Sequence, residues 1–410
     1  MEDLETFMAE HIGVRDPWKV SKVESSKGPD GRLEDHITVD IPFRTEVACP
    51  QCGRLCKVHD RKDRTWRELD TIGRRTYVHA RVPRTDCPDC GVKQIDVPWA
   101  REGSHFTIQM ESFIMSLVRE MPVSTLAAKM HETSPKVWRV VRHHADKLIA
   151  SLDLSEVRRV GVDEKSWSGF DGFITVFVDM DTRRIIYVTE GKDGDSVRRF
   201  REFLRSHGGD HAAVTDFSTD FGAAYVSAIR KHFPKARITA DRFHLVKLAN
   251  EALEDVKFGE VKLVTNRMKL RYLMCRREDR LSEADLELRN KVCQDNEVLG
   301  IAFRLKESLC MVYSMDDAEM ALGHFKGWME WARMTKLRPF ARLADTVERN
   351  LAHILAWFVS GLSNAVMEGT NSMISVIKSR ARGFRDVRNL IAMCYIVSAQ
   401  ERTDMYGEGM

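Results

Sequence analysis

Acidic residues occur in three separated blocks of the chain, each where a carboxylate could bind a divalent cation. The first block, "VGVDEKSW", alternates like a strand and then reaches Asp163 and Glu164. Neighbouring side chains of a strand point to opposite faces, so these two acids cannot both face one metal ion. We expect Asp163, on the Gly161 side, to be the metal ligand at a strand tip. An ordinary turn is the alternative.

Three residues are candidates for the second acid. "AAVTDFSTDFGAAY" contains Asp216 and Asp220 beside a strand-like run, and "ARITADRFH" ends the next run with Asp241. Asp241 could instead cap the helix that starts near His244. The pattern of strands alone does not choose among them.

A third acid lies on a predicted helix, "SNAVMEGTNSMISVIKSRARGF". Glu368, Asn371, Ser375 and Lys378 share one helical face. A carboxylate, an amide and a cation on one face suit a metal ion and a phosphate together. A solvated polar face is the alternative, but it leaves unexplained a glycine after Glu368, which costs about 1 kcal/mol within a helix.

Two cysteine pairs predict a separate, structural metal site. Each pair is a C-x-x-C motif followed by glycine, and the four thiolates could together bind one tetrahedral Zn²⁺. They are Cys49, Cys52, Cys87 and Cys90. Reduced, unliganded turns are the alternative. We expect the nearby Cys56 and His59 to be ordinary loop residues.

Three short helical segments follow the cysteine pairs and predict a helix-turn-helix. The third runs from about Ser134 to Ile149, and Ser124 is the expected N-cap of the second. The buried stripe of the third helix should be Trp138, Val141, Ala145 and Leu148. Its exposed basic face should consist of Lys136, Arg139 and His143. An ordinary bundle is the alternative. The stretch 54–84, with ten Lys/Arg against four Asp/Glu, favours DNA binding.

Composition limits the class of protein. The chain has 410 residues, of which 43% are hydrophobic and 30% charged, with a net charge of +3. No apolar run approaches the roughly 18 residues of a membrane helix. The N-terminus lacks a signal-peptide pattern, so we expect a cytoplasmic protein without membrane contact.

From residue 151 the order strand-strand-strand-helix-strand-helix-strand predicts a mixed α/β sheet. By analogy this is the order of the ribonuclease-H-like fold, interrupted here by a helical insertion. The predicted segments are 1–45, an N-terminal segment; 46–100, a zinc ribbon; 101–150, the helix-turn-helix; 151–246, the first part of the catalytic domain; 247–345, the insertion; and 346–402, the second part of the catalytic domain.

Three blocks resemble the signature blocks of bacterial DDE transposases of the insertion-sequence L-three (ISL-three) family. They are "VGVDEKSW", "DFGAAYVSAIRKHFPKARITADRFHLVKLANEA" and "SNAVMEGTNSMISVIKSRARGFRD". The resemblance implies Asp163, Asp220 and Glu368 as the catalytic acids. The family spacing selects Asp220, five residues before Tyr225, while Asp216 remains a rival. "DRFH" implies assistance from Asp241 and His244.

The resemblance further implies two Mg²⁺ or Mn²⁺ ions at each active site, beside the structural Zn²⁺. The partners it implies are double-stranded DNA, both terminal inverted repeats and target, and a second copy of the chain on that DNA. It also implies a bacterial protein associated with the nucleoid. Residues expected to contact DNA are Lys136, Arg139, His143, Asn371, Lys378 and Arg380. The rival functions are a DNA-binding regulator without catalysis and a stand-alone ribonuclease-H-like nuclease.

Overall fold

A computed structural model describes residues 4–169, 172–256, 266–362 and 365–399. The chain forms two compact units. The first unit takes in the chain up to Ile149, together with Arg380–Arg382 and the residues from Arg388 onward. The second unit comprises Ala150–Ser379 and Gly383–Val387. This division differs from the predicted 346–402 segment, because the chain from Arg388 onward belongs with the N-terminal unit.

The first unit begins with a sheet followed by helices. Its elements are α1 (Leu4–Ile12), β1 (Lys19–Lys27), β2 (Leu33–Asp40), β3 (Val47–Ala48), β4 (Leu55–Cys56), β5 (Val58–Thr71), β6 (Arg74–Cys87), β7 (Gly91–Gln94), α2 (Ile108–Leu117), α3 (Val123–Lys129) and α4 (Ser134–Ala150). The strands of its main sheet have the order β1-β2-β6-β5, with β7 on β6, while β3 and β4 form a small ribbon. The N-terminal segment is therefore part of the sheet that carries the cysteine region.

Alternation of apolar residues explains this sheet. Ile37 and Val39 on β2, with Val78, Ala80 and Val82 on β6, are all buried on one face. β2 and β6 run parallel and side by side, so the alternating residues of both strands meet in one core.

The three helices that follow were predicted, but two of their details differ. Thr107 caps α2, accepting a hydrogen bond from Met110 N at 3.2 Å. Pro122 occupies the cap position of α3, so Ser124 lies inside that helix and the predicted N-cap is wrong.

The buried stripe of α4 also differs from the prediction. It consists of Val137, Val140, Val141 and Ala145. Trp138 and Leu148 are only half-buried. The buried face of α4 therefore lies on the side of its valines and not on the side of Trp138 and Leu148.

The second unit contains a mixed sheet followed by helices. Its elements are β8 (Arg159–Ser168), β9 (Gly172–Asp179), β10 (Arg184–Glu190), α5 (Asp195–Ser206), β11 (Asp216–Thr219), α6 (Ala223–His232), β12 (Arg237–Ala240), α7 (Arg242–Asp255), α8 (Arg267–Cys275), α9 (Glu283–Asp295), α10 (Glu297–Met311), α11 (Ala318–Met334), α12 (Arg338–Leu355), α13 (Trp357–Ser360) and α14 (Ala365–Ala381), with 3₁₀ turns at Glu278–Arg280 and Val312–Ser314. The final helix of the described chain is α15 (Val387–Ser398).

The strands of the second unit have the order β10-β9-β8-β11-β12. β8, β9 and β10 form an antiparallel meander, whereas β8, β11 and β12 are parallel. Apolar residues of the sheet pack with Val197, Phe200 and Leu204 of α5 and with Ile229 of α6. The predicted order of strands and helices through β12 is confirmed, and the fold is mixed α/β.

Helices occupy most of the chain between β12 and α14. α7, α10, α11 and α12 share a core that includes Leu305, Phe325, Trp328, Phe340 and Val347. Residues 257–265 of the predicted insertion lie outside the described part. Over the ranges that the structure describes, no helix is long and apolar enough to cross a membrane.

Candidate active site and nucleic-acid interface

Asp163, Asp220 and Asp241 lie side by side near the carboxyl ends of β11 and β12. β8 continues past Asp163 to Ser168, so Asp163 lies within its strand and the predicted strand tip is wrong. The register pairs Ser218 of β11 with Gly161 of β8. Continuing that register by two residues places Asp220 beside Asp163. On its other side β11 pairs Thr219 with Ala240 of β12, so the next residues, Asp220 and Asp241, are also adjacent. The two acids that follow β11 and β12 therefore lie beside Asp163 of β8, although all three are distant in sequence.

Asp216 lies at the other end of β11. It pairs in register with Arg159, and its carboxylate lies 3.5 Å from the guanidinium of Arg237. Four residues of strand separate it from Asp220, which is about 13 Å at 3.3 Å per residue. The structure therefore does not bring Asp216 to the edge that holds Asp163.

Helix α14 crosses the face of β8 that carries Gly161 and Asp163. Asn371 Nδ2 donates a hydrogen bond to Asp163 Oδ2 at 2.5 Å. Further along, the Lys378 ammonium donates to the backbone carbonyl of Ser166. At the other end a methyl group on Gly161 would lie 2.6 Å from the Sδ atom of Met367, so glycine permits this close approach.

Asp163 is half-buried, and His244 is the cationic side chain whose charge acts on it. Burial raises its pKa, and the negative charge of Asp220 raises it further, against hydrogen bonds from Glu164 N and Asn371 and the nearby charge of His244. Among the described residues no Lys or Arg lies within 4.0 Å of the carboxylate of Asp163 or Asp220. Two neighbouring acids without a Lys or Arg partner are suited to bind a divalent metal ion.

Asp241 does two things at once. It caps α7 by accepting a hydrogen bond from Phe243 N at 2.9 Å, as the capping alternative predicted. Its other oxygen lies 2.5 Å from His244 Nδ1. This hydrogen bond raises the pKa of His244, and the charges of Asp163 and Asp220 act in the same direction. The Asp241–His244 pair therefore lies beside Asp163 and Asp220.

Glu164 occupies a different environment from Asp163, as strand alternation predicted. Burial raises its pKa, and the nearby Tyr225 hydroxyl acts in the opposite direction. The Tyr225 hydroxyl lies 2.9 Å from Thr175 Oγ1 on the neighbouring strand. Tyr225 is in the first turn of α6, which begins three residues after Asp220, and sequence reasoning missed this contact.

Glu368 is exposed in the first turn of α14, one turn before Asn371. Asn371 and Lys378, on the same helix, contact β8 as described above. In the part of the chain that the structure describes, only the four thiolates form a group of potential metal ligands that all lie within 4.8 Å of one another. The carboxylates of Asp163, Asp220 and Glu368 are therefore more widely spaced than the thiolates.

The thiolate group consists of Cys49, Cys52, Cys87 and Cys90, with all four sulfurs within 4.8 Å of one another. A tetrahedral Zn–S bond of about 2.3 Å separates sulfurs by about 3.8 Å. The two facing pairs meet at that spacing, since Cys52 Sγ and Cys87 Sγ lie 3.7 Å apart. Although burial opposes it, backbone N–H groups of Asp89 and Cys90 lower the pKa of Cys87 to about 6.

Cys56 and His59 are not among the four clustered thiolates, as predicted, but they lie on strands β4 and β5 and not in loops. The Cys56 thiol donates to Arg54 O at 3.3 Å, and His59 is exposed on β5. The four remaining thiolates match the ligand set of a structural zinc ion.

The basic face predicted for α4 is only partly exposed. Arg139 is exposed and His143 half-buried. Lys136 forms an ion pair with Glu132 at 2.9 Å. Arg380, predicted as a DNA contact, is exposed, and its guanidinium donates to the Arg119 carbonyl in the first unit.

Comparison with known proteins agrees with both units. A protein-family model of the ISL3 type, described as "Transposase", matches residues 160–394. "Helix-turn-helix domain of transposase family ISL3" matches residues 95–145, and "zinc-finger of transposase IS204/IS1001/IS1096/IS1165" matches residues 45–90.

Two relatives cover most of the chain. The transposase for insertion sequence element IS1557 of Mycobacterium tuberculosis is 28% identical over 397 residues, covering 88% of this chain and 87% of that protein. The transposase for insertion sequence element IS1001 of Bordetella parapertussis is 25% identical over 397 residues, covering 93% and 96%.

The fold and the site thus define an enzyme that acts on DNA, a transposase with DNA-binding modules. The chain belongs to the ISL3 family of transposases. A regulator without catalysis and a stand-alone nuclease are not favoured. The zinc-finger match and the four thiolates support a structural Zn²⁺, and the helix-turn-helix supports DNA binding.

Proposed function

We propose that the chain cleaves insertion-sequence ends and joins them to target DNA, with Asp163, Asp220 and Glu368 as the catalytic acids. The observation that carries this proposal is the hydrogen bond from Asn371 to Asp163. It fixes α14 over β8, so Glu368, one helical turn earlier, lies on the helix that crosses the acidic strand ends. The strand order, with the first strand of the meander in the centre, is that of a ribonuclease-H-like fold, and we assign the helices after β12 as its insertion.

The donor set fits two Mg²⁺ or Mn²⁺ ions rather than zinc. Carboxylate and amide oxygens are hard ligands that these ions prefer. When bound, such ions lower the pKa of an attacking water or hydroxyl and stabilise the leaving oxygen. Binding at all three acids requires Glu368 to approach the strand ends, because the three carboxylates are not within 4.8 Å of one another.

The reaction consists of two in-line displacements at phosphorus. In the first, a water oxygen bonds to the scissile phosphorus, and the bond to the 3′ oxygen breaks to leave a 3′-OH. In the second, that 3′-OH attacks a target phosphodiester and releases a new 3′ oxygen. Neither step needs a covalent enzyme intermediate. Asn371 holds the Asp163 carboxylate in place, and Lys378 gives α14 a positive charge suited to phosphate.

The Asp241–His244 pair assists this site. With Nδ1 engaged by Asp241, the remaining ring nitrogen of His244 is the one that can donate to a phosphate oxygen. The raised pKa of His244 keeps the protonated, donating form present at higher pH than in a free histidine. We also expect the active form to be a homodimer on DNA.

The experiment incubates purified protein with a labelled duplex of the matching insertion-sequence end in Mg²⁺ and scores nicking and joining. Asp163→Asn, Asp220→Asn and Glu368→Gln should each abolish nicking while leaving end binding nearly intact, because residues that act as a unit lose function together. Asp216→Asn is the matched control and should still nick.

Three results would contradict the assignment in different ways. Nicking by Asp220→Asn but not by Asp216→Asn would show that Asp216, and not Asp220, is the second catalytic acid. Nicking without joining would indicate a nuclease. Equal activity of an active parent and all the variants would remove the carboxylate mechanism.

A further inference from the structure

Two lysines lie together in the second unit, where α14 lies along β8. The Lys378 ammonium donates a hydrogen bond to the backbone carbonyl of Ser166. Lys165 precedes that residue and, by strand alternation, points to the same face of β8 as Asp163. Both lysine side chains are half-buried. The sequence predicted Lys378 as a DNA contact, whereas Lys165 was not among the predicted site residues.

The spacing of the contacts shows that α14 follows β8 in the same direction. Met367 lies over Gly161 at one end, and Lys378 contacts Ser166 at the other. From Met367 to Lys378 the helix rises about 16.5 Å at 1.5 Å per residue. From Gly161 to Ser166 the strand advances about 16.5 Å at 3.3 Å per residue. The lysines therefore lie beyond the hydrogen bond between Asn371 and Asp163, along the same line.

The two positive charges have no acidic partner in the part of the chain that the structure describes, since no carboxylate there lies within 4.0 Å of either ammonium. The Ser166 carbonyl is neutral and takes only one of the three N–H donors of Lys378. Burial and the charge of Lys165 lower the pKa of Lys378. Lysines that are withdrawn from solvent are usually paired with an acid, so this pair is suited to bind an anion.

The surroundings of Lys165 strengthen such an interaction. Lys165 pairs across the strands with Ile174, and Asp163 pairs with Val176. Both apolar partners are fully buried, so the lysine stem lies on a dry part of the sheet where charges are less screened. Along β8 the distance from Asp163 to Lys165 is about 6.6 Å. This length corresponds to about two nucleotides of one DNA strand, at 3.4 Å of axis each.

We propose that Lys165 and Lys378 bind a phosphodiester group of the cleaved DNA strand, about two nucleotides from the scissile phosphate at Asp163. The inference rests on the proposed function and deepens it, because it gives the active site a second point of attachment for its substrate. It also gives a role to the part of β8 that continues past Asp163.

The test measures binding of full-length protein to a labelled duplex of the matching insertion-sequence end, by anisotropy between 50 and 200 mM salt. Divalent metal is left out, so that the result does not depend on catalysis. Each phosphate contact contributes about 0.9 to the slope of log affinity against log salt, or about 3.5-fold over this range. Lys165→Ala should lower the slope by that amount, and Lys165→Arg should keep it because it keeps the charge.

Lys235→Ala is the charge-matched control. Lys235 is an exposed lysine of the same unit in the turn before β12, at the opposite end of the parallel strands from Asp241. It should bind as the parent does. Lys165→Ala carries the test, because the Lys165 ammonium has no partner among the described residues whose loss would disturb the fold. An unchanged slope in Lys165→Ala would overturn the inference.

A second measurement locates the phosphate. Single neutral methylphosphonate linkages are placed in turn at the three positions on each side of the scissile phosphate. One of them, about two nucleotides away, should lower the slope of the parent by about 0.9 and leave that of Lys165→Ala unchanged. Additive losses at every position would overturn the inference. A parent that shows the lysine contact but never nicks the duplex in Mg²⁺ would overturn only the proposed function.

Discussion

Gly161→Ala tests whether α14 is held against β8 as the structure describes. The added methyl group would lie 2.6 Å from the Sδ atoms of Met180 and Met367, and 3.0 Å from Met367 Cγ. Favourable contacts between such atoms occur at about 3.5–4.0 Å, so the overlap is roughly 1 Å on two sides. Met367 is fully buried and cannot turn into solvent.

Overpacking of this kind costs about 1–3 kcal/mol. It is relieved most readily by moving α14 away from β8, and that movement also displaces Glu368 and Asn371 from the strand ends. A displacement of about 1 Å in a catalytic group can lower a rate by about 100-fold. We therefore expect Gly161→Ala to lose about 1–3 kcal/mol of local stability and most of its nicking activity, with DNA affinity unchanged.

Hydrogen exchange of peptides from β8 and α14 measures the local stability without assuming two-state unfolding of a two-unit chain. Gly369→Ala is the matched control on α14, because a methyl group there meets nothing within 4 Å. It should be neutral or stabilise the helix by up to about 1 kcal/mol. Adding Met367→Ala should remove the part of the Gly161→Ala penalty that comes from Met367, while the overlap with Met180 remains. Exchange and nicking at parental rates in Gly161→Ala would refute the proposed contact.

Glu68 is fully buried, and burial raises its pKa from 4.5 to about 7, so its contribution to stability is complete below pH 4.5 and is lost as the pH rises through 7. Glu68→Gln should match the parent near pH 4 and exceed it by up to about 3 kcal/mol at pH 9 in hydrogen exchange of β5, and a constant difference would contradict this. The purified protein should carry about one zinc per chain, and Cys49→Ser should lose it and loosen only the first unit. Absence of zinc from protein prepared without chelator would exclude the site. Replacing Lys136 and Arg139 together by Ala should weaken end binding and lower the salt slope, with Arg139 responsible for most of the change because Lys136 is already paired with Glu132. Unchanged binding would favour a plain bundle.

Local patterns in the sequence were sufficient to predict several parts of the structure. A two-residue spacer brings both cysteines of each C-x-x-C pair to one turn, so the thiolate group follows from spacing once the two pairs meet. Strand alternation likewise separated Asp163 from Glu164, because successive side chains leave opposite faces of any strand. The order of strands and helices from residue 159 to β12 follows from the change between two-residue and helical periodicity.

The tertiary structure decided what depends on pairing between distant segments. Asp216 and Asp220 lie four residues apart on one run, and only the register of β11 against β8 and β12 places Asp220, rather than Asp216, beside Asp163. The face that α4 buries is set by the helices around it, which shifted the stripe from Trp138 and Leu148 to its valines.

The position of the last helix, α15, could not be predicted from the sequence either. Its apolar residues predict a helix but do not name the surface that will cover them. Its packing within the N-terminal unit arises from contacts between residues of α4 and α15 that are some 250 positions apart. Bringing residues so far apart in sequence together costs conformational entropy. The rest of the fold must offset that cost, so local sequence patterns cannot predict such contacts. Sequence thus determined which groups could perform the chemistry, and the fold determined which of them meet.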